Sequence, residues 1–206
     1  MPNLPQIRHT PTSTAISDAA LKLFAETDPR RVTVRQIATA ANVSVGSVYV
    51  HFGSKDGLYL AILDEALQIS ARYTMNRRWS ESPLQRIFNV GEAYFRFATE
   101  HPEAFRLIVQ RTQVETDTPE LAAAAARVER RIERETAAIV EDLAAAMDAG
   151  ELMRMPEIDV LRYLWASWAG VLTMMVREDR FKIEAEDAHR ILGGAQWILA
   201  RGMRPD

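Results

Sequence analysis

Between residues 32 and 58 the chain starts a helix, stops it after about two turns and starts another, and few folds can use such an interruption. Thr33 is a suitable N-cap with Gln36 three positions on, the spacing at which each side chain reaches the other's backbone N–H. Ile37, Ala38 and Ala41 share one face of the helix so begun. Asn42 tolerates the left-handed backbone of a tight turn, and Ser44 can cap a second short helix with Val48 and Phe52 inward. Two short helices joined by such a turn make a helix-turn-helix, whose second helix enters the DNA major groove. Val45, Gly46, Ser47 and Tyr49 are then left to face base edges or phosphates.

The run Ile37-Ala38, Ala41-Asn42-Val43-Ser44, Gly46, Val48-Tyr49, His51-Phe52 and Ser54-Lys55 resembles the signature of the TetR (tetracycline repressor-like) family, usually IA..AGVS.G.(L/V)Y.HF.SK. About ten constrained positions at fixed spacing carry far more information than a lone glycine motif. Asn42 stands where the family usually has Gly, and Asn is the best non-glycine residue at positive φ. The signature spans residues 13 to 67; beyond it the resemblance is one of helical architecture. It implies an all-α chain. Residues 11 to 70 would form a three-helix head holding the motif at about 33 to 52, and residues 80 to 206 a larger helical body for ligand binding and dimerisation. The implied function is that of a homodimeric repressor released from a palindromic operator in double-stranded DNA by a small apolar effector, with no cofactor.

Roles for the head residues follow from their chemistry. Thr33 and Ser44 serve as caps, and helix N-termini also bind phosphate. Val48 and Phe52 already fill the inward positions, so Tyr49 is assigned to a base or phosphate. His51 would donate a hydrogen bond to the DNA backbone. Lys55 opens the next helix, where the dipole disfavours a cation unless an external anion compensates, so it is read as a phosphate ligand. Arg35 invites the same argument, beside the reading of a solvated arginine.

Elsewhere the period is helical throughout. Ile16, Ala19, Ala20, Leu23 and Phe24 form the stripe of a first helix, and Leu58, Ile62, Leu63, Ala66 and Leu67 that of a helix from about 54 to 73. Further helices are predicted over 83 to 100, from 101 or 102, over 119 to 148, 156 to 178 and 184 to 201, about nine in all, with Pro or Gly at several of the ends. No segment alternates as a strand does.

In the body, Gly91, Tyr94, Phe97, Phe105, Trp165, Trp168, Met174 and Met175 are candidates to line an apolar effector site. Taken singly, each reads as ordinary core, and the resemblance is what makes a pocket of them. The last two helices are apolar on more than one face, which calls for a second partner. Ala166, Ala169, Gly170, Gly193 and Gly194 would admit another backbone beside the apolar Ile191, Ala195 and Ile198, and the resemblance implies a symmetric dimer there.

Net charge, −3 overall, becomes informative when divided. Residues 1 to 57 hold six Lys or Arg against four acids, and the remainder 19 against 24, so a basic head sits on an acidic body as expected when one end meets phosphate. The four histidines are dispersed, with no zinc pair, nucleophile elbow or phosphate-cradling glycine loop, so no catalytic or metal-binding residue is assigned and the chain is not read as an enzyme. Zero Cys excludes disulfides and thiolate sites and fits a reducing cytoplasm. The opening MPNLPQIRHTPTS lacks an apolar core and reads as an arm, not a signal peptide, and the longest apolar run is too short to cross a bilayer. The alternative function is a ligand-independent helical DNA-binding or adaptor protein.

Overall fold

Hydroxyl side chains set several of the helix starts. In the computed structural model, which describes residues 10–75 and 80–204, Thr10 and Ser13 form a capping box at α1 (Pro11–Glu26). Thr33 and Gln36 do the same at α2 (Val34–Ala40), Ser44 caps α3 (Val45–Phe52), and Ser82 caps α5 (Pro83–Glu100) with Pro at the first helical position. The remaining helices are α4 (Lys55–Met75), α6 (Pro102–Val109), α7 (Pro119–Asp148), α8 (Glu157–Met175) and α9 (Ala185–Gly202). Stops are set by backbone conformation: Asn42 has φ 54° after α2, and Gly53 and Gly150 have φ 74° and 71° after α3 and α7. The expected all-α architecture is present, with nine helices and no strand among the described residues. The stretch MPNLPQIRHTPTS, expected to be an arm, is helical at its end, because Thr10 caps α1 and Pro11 to Ser13 form its first turn; the part before Thr10 lies outside the described residues.

Two compact units make up the chain. The first takes the chain through Gln68 together with Glu103–Arg131; the second takes Ile69–Pro102 and everything from Ile132 onward. In the first, Ile16, Ala20 and Phe24 of α1, Ile37 of α2, Val48 of α3 and Leu58 of α4 are buried together, and Phe24 meets Tyr59 edge to face at 5.4 Å. The Tyr59 hydroxyl accepts from the Thr112 backbone N–H at 2.9 Å, and Arg131 pairs with Asp64 at 2.8 Å. These bonds tie the loop after α6 and Arg131 of α7 to α4. The boundary expected between residues 70 and 80 follows chain order; the compact units do not, because α7, 30 residues and about 45 Å long, supplies residues to both cores.

In the second unit Ile87, Phe97, Leu143 and Leu172 are fully buried. Polar ties supplement that packing. Arg86 on α5 pairs with the buried Asp142 on α7 at 2.8 Å, and Glu151 accepts from the Leu84 N–H at 2.7 Å, satisfying a backbone donor in the first turn of α5. Near the opposite end of α5, the Tyr73 hydroxyl donates to Glu100, and that bond holds the phenol above the ordinary tyrosine range and the carboxyl below its own.

Candidate nucleic-acid interface

α1, α2 and α3 pack against one another and fix the attitude of α3 through a single fully buried residue, Val48. At ~100° per residue, Val45, Tyr49, Gly46 and Val50 fall in one continuous arc running from about 60° to about 200° around the helix from it. That arc is open. Val45 is 39% exposed, Tyr49 50% and Val50 82%. A Cβ built on Gly46 would meet nothing nearer than the Ser44 Oγ, at 3.7 Å, so the protein itself does not require glycine there. Glycine inside a helix costs about 1 kcal/mol against alanine. What it provides is a bare stretch of backbone that an external surface can approach closely.

The hydroxyls expected to reach DNA are engaged inside the motif. The Thr33 Oγ1 accepts from the Gln36 N–H at 3.3 Å, the Ser44 Oγ accepts from the Ser47 N–H at 3.1 Å, and the Ser44 and Ser47 hydroxyls bond each other at 2.9 Å. Arg35 is exposed on α2, and His51 is half-buried beside Phe52 with ring centroids 6.3 Å apart. Lys55 requires a correction. Its Nζ donates to the carbonyl oxygens of Pro29, Arg30 and Val32 at 3.0, 3.2 and 3.1 Å, using all three of its N–H donors. It therefore pins the loop between α1 and α2 to the start of α4 and is not placed to neutralise a phosphate. The three carbonyls supply the negative charge that the dipole argument had assigned to an external anion. Val50, absent from the sequence-derived set, belongs to the open arc; its one-residue offset from Tyr49 was the signal that would have found it.

Residues 16–62 match the family described as bacterial regulatory proteins, tetR family, and residues 87–193, about half of the chain, match the tetracyclin repressor-like C-terminal domain. This chain belongs to the TetR family. It is 33% identical over 96 residues to the A-factor receptor protein of Streptomyces griseus, covering 47% of this chain and 33% of that protein. It is 48% identical over 50 residues to an HTH-type transcriptional repressor of Mycobacterium tuberculosis, covering 24% of this chain and 27% of that one. The matched segments thus span a third or less of those relatives' own lengths. FadR from Bacillus subtilis, solved in complex with stearoyl-CoA, has the same fold: TM-score 0.71 at 16% identity, covering 93% of this chain and 99% of that one.

In the TetR-type body the expected effector residues separate into different settings. Gly91 and Trp168 pack directly against each other, since a Cβ on Gly91 would lie 2.8 Å from the Trp168 Cζ2. The indole occupies the space that a side chain at 91 would need, and both residues are buried core. Phe105 is fully buried in the first unit, while the other seven belong to the second. Tyr94 stacks on Phe97 at 6.0 Å and lies 5.4 Å from Trp165, which is itself exposed. Burial raises the Tyr94 phenol above the ordinary tyrosine range, and the Glu135 carboxylate raises it further. Met174 is exposed and Met175 half-buried. A separate cleft of about 430 Å³, lined by Ser82, Leu84, Gly150, Glu151, Ala200 and Arg204, contains none of the expected residues. Of the residues expected at a dimer contact, Ala166, Gly170, Ile191, Gly194 and Ile198 are exposed and Ala169 and Ala195 half-buried. Exposed Tyr163 and Trp197 flank them, on the same two helices.

Proposed function

We propose that this protein is a homodimeric transcriptional repressor that binds a pseudo-palindromic operator through two copies of α3 and is released by a small apolar effector. The observation that carries the reading is the open arc of Val45, Gly46, Tyr49 and Val50 on a short helix anchored to the core by Val48. Sequence-specific contact needs a rigid helix presented outward, and the capping bonds at Ser44 supply the rigidity. Dimerisation is supported by open space around Gly170, Gly193 and Gly194 beside exposed Tyr163, Ile191, Trp197 and Ile198. A helix pair apolar on its outer face gains by covering it, and a second copy of the same face closes the assembly.

For the effector, support comes from the aromatic group of Tyr94, Phe97 and Trp165 and from a fold shared with a protein solved with stearoyl-CoA. A ligand weakens DNA binding only by preferring the non-binding conformation, so a 100-fold release requires about 2.7 kcal/mol of coupling, and DNA then weakens the ligand by the same factor. The reading is non-enzymatic and cytoplasmic; no described helix is long and apolar enough to cross a membrane. Selection of DNA by the full-length protein from a random pool tests it. An enriched inverted repeat with half-sites about one helical turn, or a multiple of it, apart is the expected result. Enrichment of no sequence would remove the repressor reading. A small molecule that stabilises the protein without changing operator affinity would remove the effector and leave the operator.

A further inference from the structure

Resting on the operator-binding reading, the inference concerns what α3 recognises there. Its eight residues, VGSVYVHF, include no Arg, Lys, Asn, Gln, Asp or Glu. In the major groove guanine is read by Arg or Lys, adenine by the paired donor and acceptor of Asn or Gln, and cytosine by a carboxylate. None of those readers is on this helix. The nearest amide in sequence, Asn42, is off the helix in the turn before it, with φ 54°, and Gln36 on α2 is held in its capping box by the Thr33 N–H at 2.8 Å. Ser47 is bonded to Ser44 at 2.9 Å.

Apart from the Tyr49 phenol, what the open arc of α3 presents is apolar. Val45 and Val50 stand at the two edges of the open arc, and Val50 is the more exposed at 82%. Only one apolar group projects into the major groove from any base pair, the C5-methyl of thymine. Valine suits that partner physically. Its β-branched side chain has a restricted χ1 in a helix, so it meets a methyl group with little loss of rotamer freedom, unlike a long polar side chain. Gly46, lying between the two valines on the arc and carrying no side chain, lets the helix settle deep enough for short side chains to reach base edges.

We infer that the operator half-site presents thymine methyl groups to Val45 and Val50, and that these contacts, in place of hydrogen bonds from long polar side chains, set sequence preference along α3. Burying one methyl group is worth about a fourfold factor in affinity, so removing it from both half-sites costs roughly 15-fold. The test uses the full-length protein and the duplex selected from a random pool. Each thymine in turn is replaced in both half-sites by deoxyuridine, which keeps the hydrogen-bonding edge and lacks only the methyl group. Wild-type protein is expected to bind one or two of these duplexes about 15-fold more weakly than the parent. Val50→Ala and the isosteric Val50→Thr, or Val45→Ala at the other position, are expected to bind the thymine and uracil forms alike. An operator bound equally well with uracil at every position overturns the inference, as does discrimination that survives unchanged in all the valine variants. An unenriched pool removes this inference and the repressor reading together, whereas an enriched operator indifferent to uracil removes this inference alone.

Discussion

Lys55 shows how a motif residue can be retained for folding while sitting beside a binding surface. Its three bonds to main-chain oxygens 23 to 26 residues upstream close the loop between α1 and α2. Lys55→Ala is expected to destabilise the protein by about 1–3 kcal/mol in urea unfolding, because three acceptors lose a charged donor. The salt dependence of operator binding should stay the same; a slope reduced by about one would instead return Lys55 to a phosphate. Gly91 makes the complementary case in the body. Gly91→Ala places a methyl 2.8 Å from the Trp168 ring and is expected to cost about 1–3 kcal/mol by overpacking. Combining it with Trp168→Leu should recover part of that loss in a double-mutant cycle, since the smaller side chain vacates the contested space.

At the scale of elements, α5 carries a buried phenol whose ionisation opposes folding. The folded-state pKa of Tyr94 is raised above the unfolded value of about 10, so the protonated form is the one the fold prefers. Its contribution to stability is therefore complete below pH ~10 and is lost as pH rises toward the folded value. Tyr94→Phe should flatten the alkaline decline of the urea midpoint; an identical decline in the variant would place the sensitivity on another group. Helix limits were legible where both ends carry chemical signals. α5 begins at Ser82-Pro83 and ends before His101-Pro102, and α7 begins at Thr118-Pro119 and persists to Asp148, stopped by Gly150, as read from sequence. The two caps and the turn at Asn42 were legible for the same reason, since a cap and its partner lie within four residues. Lys55 and the Gly91–Trp168 contact were not, because their partners are 23 or more residues away and no local period encodes them.

At the scale of the whole molecule, the head's mild basic excess leaves specificity to shape and surface more than to bulk attraction. Oligomeric state can be tested without disturbing the subunit's own packing, because nothing lies within 4 Å of a Cβ at Gly170 or Gly194. Gly170→Glu or Gly194→Glu should thus fold and sediment as monomers, since a carboxylate buried without a partner at a helix contact costs several kcal/mol. Intact dimers in both variants would move the interface elsewhere. The most direct measurement for the central claim, that the open arc of α3 meets DNA, is operator affinity of Gly46→Leu. The subunit has room for a side chain there, with the nearest atom 3.7 Å from the Cβ, and leucine favours a helix over glycine. Unchanged or higher thermal stability with operator binding weakened by about 100-fold or more is expected, because the added side chain then obstructs only an external partner. Wild-type affinity in a folded Gly46→Leu protein would contradict the assignment of α3 as the recognition helix.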